Sequence, residues 1–271
     1  MLSAHKASIR AAFHHAATQY DEHAHLQRQV TEQLLTTIVP HLHPGATLLD
    51  LGCGTGYFGR CLAEQPIPHQ LYQLDIATDM CKKANNHART NHYCIQGDID
   101  HLPIADHSMS CVMSSMAFQW LDDLSSVFRS IGHILTEKGF FSCAFVGNGS
   151  LAELQYSFEA HGYPSPLNHF PGQQELIASL KQANMTEASI SSIPMLTHHD
   201  GIIELLQHFK QLGAHHRNGH QAPVRLTKGM LQHIESTYRK RFCKGEKKLP
   251  ASWNIYFIQW VKKESVLTSC P

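Results

Sequence analysis

The stretch that decides the fold is residues 47–62, TLLDLGCGTGYFGRCL. An apolar run ends at Asp50, glycines follow at alternate positions, and the chain then becomes amphipathic. In doubly wound α/β folds, ligands bind where a strand turns into the next helix. Glycine permits the tight turn and lets a ligand approach the backbone closely. The stretch therefore predicts a strand, a ligand-binding turn and a helix.

The spacing of the glycines narrows the class of ligand. Gly52, Gly54 and Gly56 form the pattern G-x-G-x-G. A dinucleotide fingerprint would be G-x-G-x-x-G, and a phosphate-binding loop would end in G-K-S/T. The pattern favours a ligand without a phosphate chain. The glycines alone would also fit a tight turn that binds no ligand.

Short apolar runs alternate with amphipathic stretches after residue 45, and they predict strands at 46–52, 70–76, 92–99, 109–120 and 139–147. Two further strands are predicted at 186–198 and 252–263. Strands that alternate with helices form βαβ units, whose parallel sheet has helices on both faces. We therefore expect a doubly wound, Rossmann-like α/β fold with a mostly parallel seven-stranded sheet.

The chain is predicted to form this sheet with helical insertions. Residues 1–147 would supply N-terminal helices and the cofactor-binding half. The remaining sheet elements would lie at 171–196 and 251–265. Helical patterns interrupt them at 148–170 and 197–250, and we expect these two segments to pack together as a cap over one edge.

Composition limits the classes of function. The 271 residues include 22 basic and 22 acidic side chains, so the total charge gives no support to nucleic-acid binding. No apolar run approaches the roughly 18 residues that span a bilayer. The N-terminus lacks the apolar core of a signal peptide. We expect a monomeric cytoplasmic protein with no nucleic-acid or membrane partner.

Cysteine and histidine are frequent, but neither forms a metal-binding motif. None of the 8 cysteines belongs to a C-x-x-C pair, so they are predicted to be reduced core thiols. The 22 histidines include adjacent pairs such as His14 and His15, but no H-E-x-x-H spacing. We expect no metal, and mostly solvated histidines that make the net charge sensitive to pH near neutrality.

Two acidic residues lie at the ends of the next predicted strands. Asp75 ends the second strand, 19 residues after Gly56, where a carboxylate accepts hydrogen bonds from ribose hydroxyls. Asp98 ends the third strand, where a side chain can reach an adenine edge. Each acid alone is more often a cap or turn residue. Together with the glycine turn, they mark three successive strand ends that converge on one crevice.

Three segments resemble the ordered motifs of class I S-adenosylmethionine-dependent methyltransferases: LLDLGCGTGYFG at 48–59, LDIATDM at 74–80 and GDIDHLPIADHSMSCVMSSMAFQW at 97–120. The resemblance implies that S-adenosyl-L-methionine is the co-substrate and that the three glycines line its methionine part. It implies that Asp75 binds the ribose and that Asp98 and Ile99 bind the adenine. The further cofactor contacts that it implies are Asp50, Cys53, Ile76 and Ser115.

Other segments resemble one family, the malonyl-[acyl-carrier protein] O-methyltransferases of biotin synthesis: FHHAATQYDEHAHLQRQV at 13–30, MAFQW at 116–120 and RKRFCKGEKKLPASWNIYFIQW at 239–260. The resemblance covers most of residues 8–263. It implies methyl transfer to the free carboxylate of a malonyl thioester on acyl-carrier protein or coenzyme A, giving the methyl ester that primes pimeloyl synthesis. Ser115 departs from the family, which usually has Asn there.

The residue inventory agrees with carboxyl methylation. A carboxylate with a pKa of about 4 is ionised at neutral pH, and a sulfonium methyl is already electrophilic. Transfer then needs in-line positioning and exclusion of water rather than a strong base. Tyr20, Gln119 and Trp120 are the candidates to align the substrate. Trp120 would also suit core packing, and Tyr20 a helix surface.

A basic run at 239–248 carries six cations and one acid. Opposite charges steer association, so the run would suit an acidic carrier protein, docked through Arg239, Arg241, Lys244, Lys247 and Lys248. Alternatively, one of the two arginines would reach the substrate carboxylate as a bidentate pair. A solvated face without a partner is the third interpretation.

The sequence leaves two other functions open. A quinone or sterol ring methyltransferase would share the cofactor site, but it would want a base near the methyl group and a more apolar cap. A cofactor-binding interaction protein without catalysis would keep the glycines and both acids and would lack turnover.

Overall fold

The computed structural model describes residues 4–16, 20–67, 69–165, 167, 169–211 and 226–264. Its strands are β1 Ala46–Leu51, β2 His69–Asp75, β3 His92–Gln96, β4 Met109–Ser115, β5 Leu135–Val146, β6 Ser189–His199 and β7 Leu249–Val261. They form one sheet in the order β3-β2-β1-β4-β5-β7-β6. Neighbours among β1 to β5 are parallel, and β7 is antiparallel to both β5 and β6. The predicted doubly wound α/β class is confirmed.

The helices that the structure describes are α1 Ala4–Ala16, α2 Tyr20–His23, α3 His25–Ile38, α4 Tyr57–Leu62, α5 Thr78–Asn86, α6 Leu124–Ile134, α7 Ala152–Glu159, α8 Gln173–Gln182, α9 Ile202–Gln211 and α10 Lys228–Phe242. Two short 3₁₀ helices lie at Val39–His41 and Phe118–Trp120. Within these described elements, no helix has the length and apolar character needed to cross a membrane.

Successive strand residues point to opposite faces, so the sheet has a core on each side. Leu48 of β1 belongs to the core that α3, α7 and α10 cover. Its neighbour Leu49 belongs to the core that α6 and α8 cover. This two-sided burial explains why the central strands consist of nearly continuous apolar runs.

The fourth strand is shorter than the sequence pattern predicts. β4 ends at Ser115 because Met116 adopts a left-handed conformation with φ of 56°. The amide of Met116 donates to the carbonyl of Ala144 at 2.7 Å, which fixes the turn. The chain then forms the 3₁₀ helix Phe118–Trp120 instead of extending to residue 120. This turn brings Trp120 to the carboxyl ends of the strands, where it lines a cavity.

The segments predicted to form a cap contain α7, α9 and α10. α7 packs on α10, where the rings of Tyr156 and Phe242 meet edge to face with centroids 5.6 Å apart. Tyr238 of α10 is fully buried and donates its hydroxyl to the carbonyl of Pro250 at 2.6 Å. α9 contacts α10, β6 and the short α2. The division of the chain into sheet and cap stays a prediction.

Candidate active site

Two cavities adjoin at the carboxyl ends of β1, β2 and β4. The first, called here the apolar cavity, is lined by Ile76, Ile99 and Trp120 and by side chains of α1. The second, called here the polar cavity, is lined by Asp50, Gln27 and Arg28. Both cavities are lined by Tyr20, Gly52, Gly54 and Ser115. The predicted crevice therefore has a mostly apolar half, which also contains Lys6, Asp75 and Asp98, and a polar half, and the two meet at the glycine turn.

The glycine turn is attached to the end of β2. The amides of Gly52 and Cys53 both donate to the carbonyl of Leu74, at 2.7 and 3.0 Å. Gly54 has φ of +54°, and a Cβ built there would meet nothing within 4 Å. Since Gly54 also lines both cavities, a side chain at this position would project into them. This is the close approach that a ligand needs.

Gly56 has a different role from the other two glycines. It is not among the residues that line either described cavity. With φ of +79°, it starts α4, and a Cβ there would lie 2.9 Å from the Cα of Ala84 in α5. Gly56 therefore permits close packing of α4 against α5, and its predicted contact with the cofactor stays a prediction.

Asp75 shapes the turn as well as facing the apolar cavity. One carboxylate oxygen accepts from the amide of Ala77 at 2.8 Å, and the other accepts from the amide of Gly54 at 2.9 Å. Burial raises the pKa of Asp75, against the backbone hydrogen bonds from Ala77 and Gly54. Each carboxylate oxygen keeps a second lone pair. The geometry leaves Asp75 able to accept further hydrogen bonds from a diol.

Asp98 is paired with a residue that the sequence analysis did not identify. Lys6 of α1 donates to both carboxylate oxygens of Asp98, at 2.6 and 2.7 Å, and also pairs with Asp100. Although burial opposes it, the hydrogen bond from Lys6 lowers the pKa of Asp98 below its ordinary value. Ile9 and Phe13 of the same helix line the apolar cavity. Helix α1 therefore covers this cavity, and Lys6 ties the helix to Asp98.

The polar cavity contains buried atoms that have no partner in the protein. They are Oδ2 of Asp50, Nε of Arg28 and Oε1 of Gln27. Burial raises the pKa of Asp50 to about 7. A carboxylate and a guanidinium in one cavity can pair with the ammonium and the carboxylate of an amino acid. The arrangement fits the methionine end of S-adenosylmethionine, and the apolar cavity with Asp75 fits its nucleoside end.

Arg28 and Gln27 carried no local signal that marked them as site residues. They lie in the N-terminal segment that resembles the family, but only the packing of α3 on α4, β4 and β5 brings them to the polar cavity. Cys53, which the resemblance implied as a cofactor contact, lines the polar cavity beside them. Its thiol donates to the carbonyl of Gly54 at 3.6 Å. In the described part of the chain, the seven cysteines are free thiols.

The predicted aligning residues lie in different positions. Tyr20 lines both cavities, and burial raises the pKa of its hydroxyl, which stays a neutral donor. Trp120 lines the apolar cavity and meets the ring of Phe13 edge to face at 5.9 Å. Gln119 lines neither described cavity; its Nε2 donates to the carbonyl of Met116 at 2.7 Å, while its Oε1 is buried without a partner. The catalytic roles stay predictions.

Ser115 joins the cavities to α3. Its hydroxyl lies 2.9 Å from the hydroxyl of Thr31, and its residue lines both cavities. The role of Ser115 toward the cofactor is a prediction that this geometry permits.

The basic run lies away from the two cavities. Arg239 forms an ion pair with Glu235 at 2.7 Å and donates to the carbonyls of Asp200 and Lys247. Arg241 lies over the ring of Tyr156, 6.0 Å from its centroid. Neither arginine is among the residues that line the described cavities. The run has four exposed lysines, and the three that follow α10 are called here the lysine patch: Lys244, Lys247 and Lys248.

Across the described ranges, no cluster of three or more His, Cys, Asp or Glu side chains is arranged to hold a metal ion. The histidines do not converge into such a set even where several lie together.

Comparison with solved structures agrees with the fold. The YcgJ protein of Bacillus subtilis superposes with a TM-score of 0.61 at 17% identity, over 86% of this chain and 99% of that chain. Phosphoethanolamine N-methyltransferase 2 of Haemonchus contortus, solved in complex with phosphomonomethylethanolamine and S-adenosylhomocysteine, superposes with a TM-score of 0.54 at 16% identity, over 86% of this chain and 52% of that chain.

Comparison with sequences identifies the family. A family model described as a methyltransferase domain matches residues 49–143. The malonyl-[acyl-carrier protein] O-methyltransferase of Gallionella capsiferriformans is 29% identical over 260 residues, which cover 93% of this chain and 89% of that protein. The enzyme of the same name from Alcanivorax borkumensis is 30% identical over 257 residues, which cover 94% of this chain and 86% of that protein. The chain belongs to the malonyl-[acyl-carrier protein] O-methyltransferase family.

Proposed function

We propose that the protein transfers the methyl group of S-adenosyl-L-methionine to the free carboxylate of a malonyl thioester on acyl-carrier protein, and that the resulting methyl ester enters biotin synthesis. Relatives of this name match almost the whole chain. The observation that carries the proposal is the pair of cavities that meet at Gly52 and Gly54. One is lined mostly by apolar side chains, and the other has buried polar atoms of Asp50, Arg28 and Gln27 that lack a partner, as a nucleoside joined to an amino acid requires.

The residues that would hold the co-substrate follow from this division. Asp75 would accept the ribose hydroxyls, and Ile76 and Ile99 would cover the adenine. Asp50 would bind the methionine ammonium and Arg28 the methionine carboxylate, because these two groups offer opposite charges in the polar cavity. The sulfonium would then lie near the shared boundary of the cavities, where Tyr20 and Ser115 line both.

Methyl transfer to a carboxylate requires mainly that the protein places the carboxylate in line with the methyl group. The malonyl carboxylate is an ionised nucleophile at neutral pH, so no general base is required. Tyr20 keeps its proton because burial raises its pKa, and its neutral hydroxyl can therefore donate to one carboxylate oxygen and direct the other toward the methyl group. In-line placement of this kind supplies much of the rate in bimolecular transfers.

Exclusion of water is the second requirement, and α1 contributes to it. Ile9 and Phe13 line the apolar cavity, and Phe13 contacts Trp120. The predicted cap was expected to shield the reaction, but the described lining comes from α1 and from the strand ends. The part of the cap in exclusion of water stays a proposal.

The lysine patch is our candidate for docking of the acidic carrier protein. Lys244 and Lys247 are exposed, and Lys248 lies 3.3 Å from Asp200. Changing all three lysines to Glu should slow methylation of malonyl-carrier protein and mostly spare malonyl-coenzyme A. The carrier advantage of the wild type should also shrink with salt, since exposed charges are screened over about 8 Å at physiological ionic strength. Equal losses on both substrates would contradict docking by this patch.

The proposed function is tested by transfer of labelled methyl from S-adenosyl-L-methionine. Malonyl-carrier protein should become labelled with multiple turnovers. Acetyl-carrier protein, which lacks the free carboxylate, should not. A quinone ring acceptor that is labelled in place of the malonyl thioester would favour the ring methyltransferase instead. Binding of S-adenosylmethionine without transfer to any of these acceptors would contradict the proposed reaction.

A further inference from the structure

The short helix α2 begins at Tyr20, which lines both cofactor cavities, and it has only four residues. An isolated helix of this length is unstable in water, so contacts with other segments must hold it in place. The residue after Tyr20 is Asp21, which lines the polar cavity. The carboxylate of Asp21 has no part in the transfer step described above.

The carboxylate of Asp21 connects α2 to the glycine turn. The hydroxyl of Thr55 donates to Oδ1 of Asp21 at 2.7 Å. Thr55 lies between Gly54 and Gly56 and is only 2% exposed. A hydrogen bond to a carboxylate is stronger than one between neutral groups, and the low dielectric around a buried donor strengthens it further. The contact therefore holds α2 firmly against the residues between the glycines.

Arg60 of α4 closes this contact into a ring of three residues. Its Nη1 donates to the carbonyl of Thr55 at 2.7 Å, and its Nη2 lies 3.6 Å from Oδ2 of Asp21. These three side chains are called here the Asp21 ring: Asp21, Thr55 and Arg60. The backbone carbonyl of Asp21 also accepts from Arg28 of α3. The ring thus connects α2, the glycine turn and α4, and the carbonyl of Asp21 adds α3.

The glycine turn has supports that do not depend on the Asp21 ring. Three backbone amides of the turn donate to Leu74 and Asp75 at the end of β2. No residue of α2 takes part in those hydrogen bonds. Loss of the Asp21 carboxylate would therefore leave the turn attached to β2 and would release mainly the helix that carries Tyr20.

We propose that Asp21 is a positioning residue for methyl transfer, which fixes the hydroxyl of Tyr20 relative to the bound cofactor. The proposal rests on the proposed function, in which Tyr20 donates to the malonyl carboxylate. In that function the turn holds the methyl donor and α2 holds the carboxylate. The Asp21 ring joins the turn directly to α2, so it sets the distance at which donor and acceptor meet. In-line transfer depends on this distance, since a misplacement of 1 Å can cost about 100-fold in rate.

Direct binding of the cofactor is the competing role for Asp21, because this residue lines the polar cavity. The two roles differ in what the loss of the carboxylate changes. Loss of a cofactor ligand weakens the affinity for S-adenosylmethionine. Loss of a positioning residue slows the chemical step even when the cofactor is saturating.

The test compares the rate of the chemical step with cofactor affinity. Asp21→Ala removes the carboxylate, and Glu22→Ala removes the next acid of α2, which is exposed and lines neither cofactor cavity. Thr55→Val removes the hydroxyl that donates to Asp21, and Thr55→Ser keeps a hydroxyl. Single-turnover methylation of malonyl-carrier protein at saturating S-adenosylmethionine gives the rate, and calorimetry gives the affinity. Thermal unfolding of each variant checks its folding.

We expect Asp21→Ala and Thr55→Val each to slow single-turnover transfer at least tenfold, with affinity for S-adenosylmethionine within threefold of wild type. The double variant should be no more than threefold slower than the slower single variant, because both changes break the same bond. Thr55→Ser should recover most of the rate lost in Thr55→Val, and Glu22→Ala should match wild type.

A Tyr20→Phe background shows whether Asp21 acts through the tyrosine hydroxyl. In this background, Asp21→Ala should slow transfer less than twofold further, because the group that it positions is gone. A general disturbance of folding would instead slow both backgrounds equally, and that result would overturn the proposal.

Two other results would overturn the proposal while the proposed function stands. One is transfer by Asp21→Ala within threefold of wild type. The other is cofactor affinity that falls as much as the rate, which would make Asp21 a cofactor ligand. If Asp21→Ala does not fold, Thr55→Val is judged by the same criteria. If the wild type methylates no malonyl thioester, the proposed function fails first and this inference fails with it.

Discussion

Asp75 offers the sharpest test of the cofactor assignment. Asp75→Asn keeps the shape of the side chain but replaces one acceptor oxygen by an amide that only donates. In the wild type, the two oxygens accept from the amides of Gly54 and Ala77, and their remaining lone pairs are assigned to the ribose. The variant must therefore give up one hydrogen bond to the backbone, and at the same atom the charge-assisted bond from a ribose hydroxyl is lost or replaced by a weaker neutral one.

The size of the effect follows from these hydrogen bonds. A hydrogen bond to a charged group contributes about 1.5–3 kcal/mol. Loss of one such bond to the ribose weakens binding by about 10- to 150-fold, since about 1.4 kcal/mol corresponds to tenfold. Asp75→Ala would leave both backbone amides without an acceptor. It would therefore disturb the loop as well as binding, and the Asn variant is the cleaner probe.

Titration calorimetry with S-adenosylmethionine measures the loss directly. Asp106→Asn is the control, since Asp106 is exposed and lies outside both cavities. Thermal unfolding of each variant without ligand separates a binding effect from a folding effect. Affinity within twofold of wild type in a folded Asp75→Asn protein would refute the ribose assignment.

Three further predictions concern the same site. Gly54→Val should weaken S-adenosylmethionine binding at least tenfold by calorimetry, because a branched side chain at φ +54° enters the cavities. Gly162→Val is the control: its φ of +66° gives similar backbone strain, the space around it is open, and it should bind S-adenosylmethionine normally. Lys6→Met should weaken binding about tenfold, since it leaves Asp98 and Asp100 without their ion-pair partner and releases α1; unchanged affinity and unchanged Trp120 fluorescence would contradict the role of α1. Asp50 has a folded pKa of about 7, above its unfolded value of 3.8, so its contribution to stability falls as pH rises between these values. In urea titrations of the ligand-free proteins, the free energy of unfolding of the wild type should fall from pH 5 to 7 by on the order of 2–3 kcal/mol more than that of Asp50→Asn. An equal dependence of unfolding free energy on pH in both proteins would contradict the raised pKa.

The features that the sequence predicted are those that depend on neighbouring residues. The run before Asp50, the alternate glycines and the position of Asp75 at a strand end are local patterns, and the structure has them as β1, the turn and the end of β2. Burial on both faces of the central strands makes such runs easy to recognise.

The features that the sequence did not predict depend on contacts between distant segments. Lys6 and Asp98 are 92 residues apart, and nothing near Lys6 marks it as a partner of that acid. Arg28 gains its place only when α3 packs on α4, β4 and β5. Arg239 looked like a substrate ligand from its charge, but its guanidinium is occupied by Glu235 and by two carbonyls. The periodicity of apolar residues in a sequence indicates which face of a helix or strand is buried. It does not indicate which charged side chains from distant segments form ion pairs.

The central claim is that this chain esterifies the free carboxylate of a malonyl thioester. Intact-mass spectrometry of malonyl-carrier protein, incubated with a catalytic amount of the enzyme and with S-adenosylmethionine labelled in its methyl group, tests it most directly. The malonyl-carrier protein should gain one labelled methyl group, which mild base removes as methanol, and the Asp75→Asn enzyme should form this product more slowly at limiting S-adenosylmethionine. An unmodified malonyl-carrier protein, or a methyl group that resists base, would contradict it.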